Sequence, residues 1–259
     1  MKAAPSGLSR VAWPAIVFLA LVALWETLTR ALEVPPFLLP APSAVGAALI
    51  EHAESNGRLS ALTGFAAGAG LLFSVALGAL IAFGFSQSRV VRLSLYPYAI
   101  FLQTVPIIAI APLIVIWIGT GMTSVVLVVV IISLFPVITN GTTGLTRVDP
   151  GHLELFTIHN ATRAQELLKL RLPGSIPYFV AGAKVASGLA VIGALVGEFF
   201  AGSDEHRGLG TLIMLASGRL ETARLFAAVV ASTTLGLLLF GTASVVGDAL
   251  LTRWRGRES

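Results

Sequence analysis

Gln103, Thr104 and Pro106 interrupt one long apolar run, Asn140 another, and Ser187 and Glu198 a third. Polar groups at membrane depth are costly unless protein or water receives them, so they nominate a solute path. A proline in such a run frees backbone carbonyls, which survive only against protein or a watery cavity. The chemistry on offer is hydrogen bonding to a passing solute. Bond breaking has no machinery: no serine sits in a G-x-S-x-G elbow, and no G-x-x-x-x-G-K-[ST] is present to cradle phosphates. Gly208-Leu209-Gly210 reads as a turn. The chain has no cysteine, and its four histidines show no metal-ligand spacing. No catalytic residue and no metal ligand is assigned.

These residues need long apolar elements to hold them. The 259 residues are 56% hydrophobic and 12% charged, with a mean hydropathy of +0.88. A soluble domain carries roughly 25% charged residues, so an ordinary soluble enzyme is excluded and an all-α polytopic membrane protein is expected. Six spans are legible: Val11 to Ala31, Leu59 to Phe85, Leu93 to Ile118, Met122 to Thr142, Tyr178 to Ala201 and Phe226 to Leu251. The first follows Lys2 and Arg10 as a signal peptide does, but runs about 20 residues without a small-x-small cleavage site, so it reads as a retained span. Between the first two spans, the prolines of Val34 to Val45 forbid a continuous helix, and Ser43 is expected to cap a short one running to Ala53. Gly64 and Gly68, and Gly193 and Gly197, have the small-xxx-small spacing that lets membrane helices approach closely. Pro97, Pro106 and Pro112 are each expected to kink the third span. Some of the polar groups have plainer readings. Asn140 can hydrogen-bond a neighbouring helix, and Lys184 can snorkel to the interface. Glu198 can line an outer mouth or pair with loop arginines.

One long polar interlude remains, ELFTIHNATRAQELLKLRLP from Glu154 to Pro173, within a loop of residues 147–177. Its first half, Glu154 to His159, and its second, Thr162 to Leu172, read as short amphipathic helices. Asn160 between them tolerates a left-handed turn, and Pro173 closes the second half. Such a pair suits a membrane surface facing a soluble partner. Glu154 by itself reads as a solvated charge favoured by the helix dipole.

Six spans place both termini on one side. That side carries Lys2, Arg10, Arg89, Arg92, Arg147, Arg163, Lys169, Arg171, Arg253, Arg255 and Arg257; the other carries Arg30, Arg58, Arg207, Arg219 and Arg224. The asymmetry follows the positive-inside rule, making the termini and the polar loop cytoplasmic. It also accounts for the pI near 10 without nucleic acid.

The polar interlude resembles the coupling loop of permease subunits of bacterial ABC importers, whose pattern is Glu-Ala-Ala, three residues, Gly, nine residues, Ile-x-Leu-Pro. Glu154, Leu170, Leu172 and Pro173 match at that spacing; Leu155 and Phe156 replace the alanines and Asn160 the glycine. Val105-Pro106, Ala109, Pro112-Leu113, Trp117 and Gly119 resemble a segment of the nitrate, sulfonate and taurine type, as does the early Leu39-Pro40-Ala41-Pro42-Ser43. The resemblance implies a single permease domain over residues 1–259 in the bacterial cytoplasmic membrane. It implies two copies of a cytoplasmic ATPase holding the ATP and Mg, a second permease copy, and an extracytoplasmic solute-binding protein. Glu154 would pair with a basic residue of the ATPase, while Asn160 shapes the elbow and Leu170, Leu172 and Pro173 complete the motif. The chain itself would be no enzyme.

The solute implied is a small polar organic or anionic one, of the sulfonate, taurine or nitrate kind or like a thiamine-pyrimidine precursor or riboflavin. A secondary transporter driven by an ion gradient is the alternative, predicting inverted repeats and buried midplane charges; no convincing repeat is visible. A lipid-modifying membrane enzyme, which would need clustered His, Asp, Glu or Ser at one membrane face, ranks last.

Overall fold

The structure, a computed structural model, describes residues 7–202 and 207–255, with side chains over 12–202 and 207–253. The described elements are helical. They are α1 Gly7–Ala31, α2 Pro42–Glu51, α3 Ala53–Gln87, α4 Arg89–Thr104, α5 Ile107–Ile118, α6 Met122–Thr146, α7 Pro150–Ile158, α8 Arg163–Glu166, α9 Leu172–Ala201, α10 Leu209–Gly218 and α11 Thr222–Arg255. A π-helical turn, Leu167–Arg171, joins α8 to α9. Five helical stretches are long and apolar enough to cross a membrane, and six if the bent pair α4 and α5 counts as one span. The chain divides into two compact units, residues 1–57 with 212–231, and residues 58–211 with 232–259.

In the first unit, a carboxylate replaces the expected serine cap. Pro42 opens α2, and Ala41 at its N-cap makes no side-chain cap bond. Ser43 lies inside the first turn, where its N–H and Oγ–H donate to Glu26 of α1 at 2.9 and 2.8 Å. Glu26 thus supplies, from 17 residues away, the acceptor that free N–H groups at a helix start need. The expected Ser43 cap is corrected accordingly. Val45, Ala48 and Ala227 form a small core there, with Trp25 stacked at a tilt on Phe226 at 5.7 Å.

The second unit is built on α6 and α9. A Cβ added to Gly193 would lie 2.9 Å from the Cα of Val129, and one on Gly197 would lie 3.0 Å from the Cα of Val125. The expected close approach at this glycine pair is therefore present, and its partner is α6. The companion expectation on α3 is only half met. Gly64 faces Leu235, but a Cβ on Gly68 meets nothing, and the tight contacts fall at Gly70 on Val129 and Gly78 on Val137. Spacing alone names a pair of small residues, not the helix face that receives a neighbour.

The third expected span is two helices. Val105 and Pro106 are extended, and α4 and α5 meet at 96°. Only the middle proline breaks the chain: Pro97 and Pro112 lie inside α4 and α5. Pro106 expels Val105 from helical geometry, and the break persists because α5 restarts directly after it.

Candidate functional site

The polar loop is shaped by three consecutive local devices. Asp149 caps α7, accepting from the Gly151 N–H at 2.8 Å, and Pro150 takes the first position, where its missing N–H costs nothing. The helix therefore begins four residues before the expected Glu154, which sits mid-helix and exposed, away from the helix start. Next, Asn160 adopts φ +50°, the left-handed turn expected of it. The Asn160 N–H reaches Thr157 O at 3.0 Å and the Ala161 N–H reaches Phe156 O at 2.9 Å, which is the Schellman arrangement for closing a helix. Thr162 and Gln165 then form a reciprocal capping box that opens α8.

Pro173 does not end the second half of the loop. The Leu172 N–H donates to Leu167 O, five residues back, and the chain continues helically through Pro173 into α9. The wider π turn absorbs the proline, whose ring and absent N–H would clash with regular α-helical bonding. Leu170, Leu172 and Pro173 are half-buried where the loop enters the span. Arg171 fixes that junction, with Nε and Nη2 donating to Glu166 Oε1 at 2.8 and 2.6 Å and Nη1 reaching Leu145 O at 3.4 Å. The elbow frames an open cavity of about 330 Å³ lined by Leu155, Phe156, His159, Ala161, Gln165 and Lys169.

The path candidates fall in three environments. Gln103, Thr104 and Pro106 are exposed at the α4–α5 break, with the Thr104 hydroxyl turned back onto Phe101 O. Asn140 is half-buried and donates to Pro136 O of its own helix at 2.8 Å, beside the close approach of Gly182. Ser187 is fully buried and donates to Lys184 O. Lys184 pairs with Asp248 of α11 at 2.9 Å, so an acid meets the cation expected to snorkel.

Glu198 is 3% exposed and enclosed by protein. Its Oε1 accepts from Thr63 Oγ at 2.8 Å and its Oε2 from the Gly210 N–H at 2.7 Å. Thr63 Oγ in turn accepts from the Leu209 N–H at 2.9 Å. Cβ atoms on Gly208 would fall on the carboxylate, and on Gly210 would strike the Leu195 backbone. Gly208-Leu209-Gly210 is thus the start of α10 seated on Glu198. Sequence reasoning missed Thr63; the available signal was a lone hydroxyl in an apolar run. Among the described residues no group of acids, histidines and cysteines could hold a metal.

Residues 74–255 match the family described as "Binding-protein-dependent transport system inner membrane component". The chain is 33% identical over 247 residues to the formylaminopyrimidine transport permease protein ThiX of Halalkalibacterium halodurans, covering 95% of this chain and 96% of that one. It is 31% identical to the riboflavin transport system permease protein RibX of Chloroflexus aurantiacus, covering 95% and 93%. A crystal structure of an amino acid ABC transporter superposes with a TM-score of 0.59 at 16% identity, over 79% of this chain and 96% of that one, which shows a shared fold. Helices able to span, a proline-broken pair and a capped helical elbow thus coincide with a family match over most of the chain. The chain belongs to the binding-protein-dependent inner membrane components, the permease subunits of ABC importers.

Proposed function

We propose that two copies of this chain form the translocation path and that the α7–α8 elbow of each docks on a cytoplasmic ATPase subunit. The observation that carries this reading is the elbow itself. Asn160 at φ +50° and the capping box hold two short helices around an open cavity, with Leu155 and Ile158 left 51% and 74% exposed. Exposed apolar side chains on a fixed turn suit a protein partner. Glu154, free of any ion pair among the described residues, would meet a basic residue there. ATP and Mg would be held by that partner, and this chain would hydrolyse nothing.

The basic-residue asymmetry supports a bacterial cytoplasmic membrane setting with both termini and the elbow in the cytoplasm. An extracytoplasmic solute-binding protein would deliver a small polar organic or anionic solute. The names of the relatives favour a heteroaromatic one, of the formylaminopyrimidine or riboflavin kind. Closure of the ATPase pair would push the elbows and tilt the spans between inward- and outward-open states, to the extent that nucleotide binds those states differently. Gln103, Thr104 and Pro106, exposed at the α4–α5 break, would line the path, with Asn140 beside it. Ser187 and Glu198, enclosed in this conformation, would reach it only if α9 moves.

Co-expression with candidate ATPase subunits tests the reading. Capture by the intact chain, lost in Glu154→Arg and on deletion of residues 147–177, is expected. Equal capture by both variants would remove the elbow from the mechanism. Uptake driven by an ion gradient without any ATPase would favour a secondary transporter.

A further inference from the structure

A second cavity lies on the other side of the same short helix. It measures about 320 Å³ and is lined by Ser86, Gln87, Arg163, Glu166, Leu167 and Arg171. Along α8 and the π turn that follows it, Arg163, Glu166, Leu167 and Arg171 line this cavity, whereas Gln165 and Lys169 line the elbow cavity. A partner seated in the elbow therefore leaves the second cavity open, facing the end of the 35-residue apolar helix α3.

Its charges are unevenly satisfied. Glu166 neutralises Arg171 through two bonds to one oxygen. The Arg163 guanidinium is exposed and makes no hydrogen bond or ion pair among the described residues. The Gln87 amide donates to Ser86 Oγ, which donates to Phe83 O, so the neutral wall is already ordered. One arginine thus remains unbalanced in a preformed polar cavity, beside Leu167 and the end of an apolar span. A monoanion with an apolar tail complements that arrangement in both charge and polarity.

We propose that this cavity binds the phosphodiester headgroup of an anionic phospholipid, with Arg163 as the charge that holds it. Basic pockets where membrane helices meet the cytoplasm suit such headgroups. The lipid's tails would lie along α3, and a headgroup held there would brace the α8 segment from behind. The cytoplasmic placement rests on the function proposed above, whereas the cavity and its free arginine do not.

Native mass spectrometry of the full-length chain, purified in detergent with phosphatidylglycerol and phosphatidylcholine, tests the site. The intact chain should retain phosphatidylglycerol preferentially. Arg163→Gln should reduce that retention roughly fivefold, the effect of one basic residue at an anionic surface. Arg163→Lys should restore most of it, and Lys169→Gln, in the elbow cavity, should leave it unchanged. Inorganic phosphate at millimolar concentration should not displace the lipid; displacement would make this a free-anion site and overturn the assignment. Equal retention of both lipids, or no effect of Arg163→Gln, would also overturn it. If Arg163→Gln abolished ATPase capture with lipid retention intact, Arg163 would belong to the protein interface instead. Lipid retention without capture of any ATPase by the intact chain would count against the docking reading alone.

Discussion

Glu198 and Thr63, 135 residues apart in sequence, meet through a 2.8 Å hydrogen bond, and Thr63 Oγ relays it to the backbone N–H of Leu209. Two helices and the start of a third are tied at one buried carboxyl. Glu198→Ala leaves the Gly210 N–H and the Thr63 hydroxyl without their acceptor, a loss of about 1–3 kcal/mol. Thr63→Val should cost about 1–3 kcal/mol, because it removes the bond to Glu198 and leaves the buried Leu209 N–H without its acceptor. The two are not independent, so a double-mutant cycle read by thermal unfolding in detergent should show coupling. Strict additivity would mean that the contact contributes nothing of its own.

The α6–α9 seam makes a steric prediction. Gly193→Leu and Gly197→Leu place side chains where Val129 and Val125 Cα atoms already stand. Overpacking of this kind costs about 1–3 kcal/mol, and here the obstacle is backbone, which gives little. Gly68→Ala, with open space around the new methyl, is the control and should be neutral. A glycerol-gradient or thermal-shift comparison of the three variants settles it; equal stability throughout would refute the seam.

Asn160 carries a backbone prediction. Its φ of +50° is tolerated by Asn and Gly and resisted by β-branched residues. Asn160→Gly should leave capture of the ATPase intact, while Asn160→Val should strain the elbow by about 1–2 kcal/mol and weaken capture. Global thermal stability should change little in either, because the elbow is exposed. If both variants captured the ATPase equally, the left-handed turn would have no part in docking.

Much of this fold is legible because membrane helices announce themselves by length and polarity, and the six expected spans each overlap a helix. The turn at Asn160 was readable for a local reason: few residue types adopt that conformation. Ends and breaks were harder. Ser43 looks like a cap, yet a carboxylate from another helix takes that role, and no local rule encodes a partner 17 residues away. Pro173 looks like a stop, but a π turn absorbs it. Glu198 reads from the sequence as lining an outer mouth or pairing with loop arginines; its burial against Thr63 and Gly210 was not legible, since those partners come together only when α3, α9 and α10 pack. Gly70 escaped for a similar reason: which small residue is contacted depends on the neighbour's position.

The native chain has no cysteine, which gives direct access to the central claim. Ala161→Cys and Gln165→Cys place single thiols in the elbow cavity, and Phe37→Cys places one in the connector after the first span, which the basic-residue asymmetry puts outside the cytoplasm. Each can be tested for thiol cross-linking to a co-purified ATPase subunit in membranes. Cross-links from both elbow positions and none from Phe37→Cys, with a yield that changes on adding nucleotide, is the predicted result. Cross-linking from Phe37→Cys with none from the elbow would contradict both the docking site and the orientation.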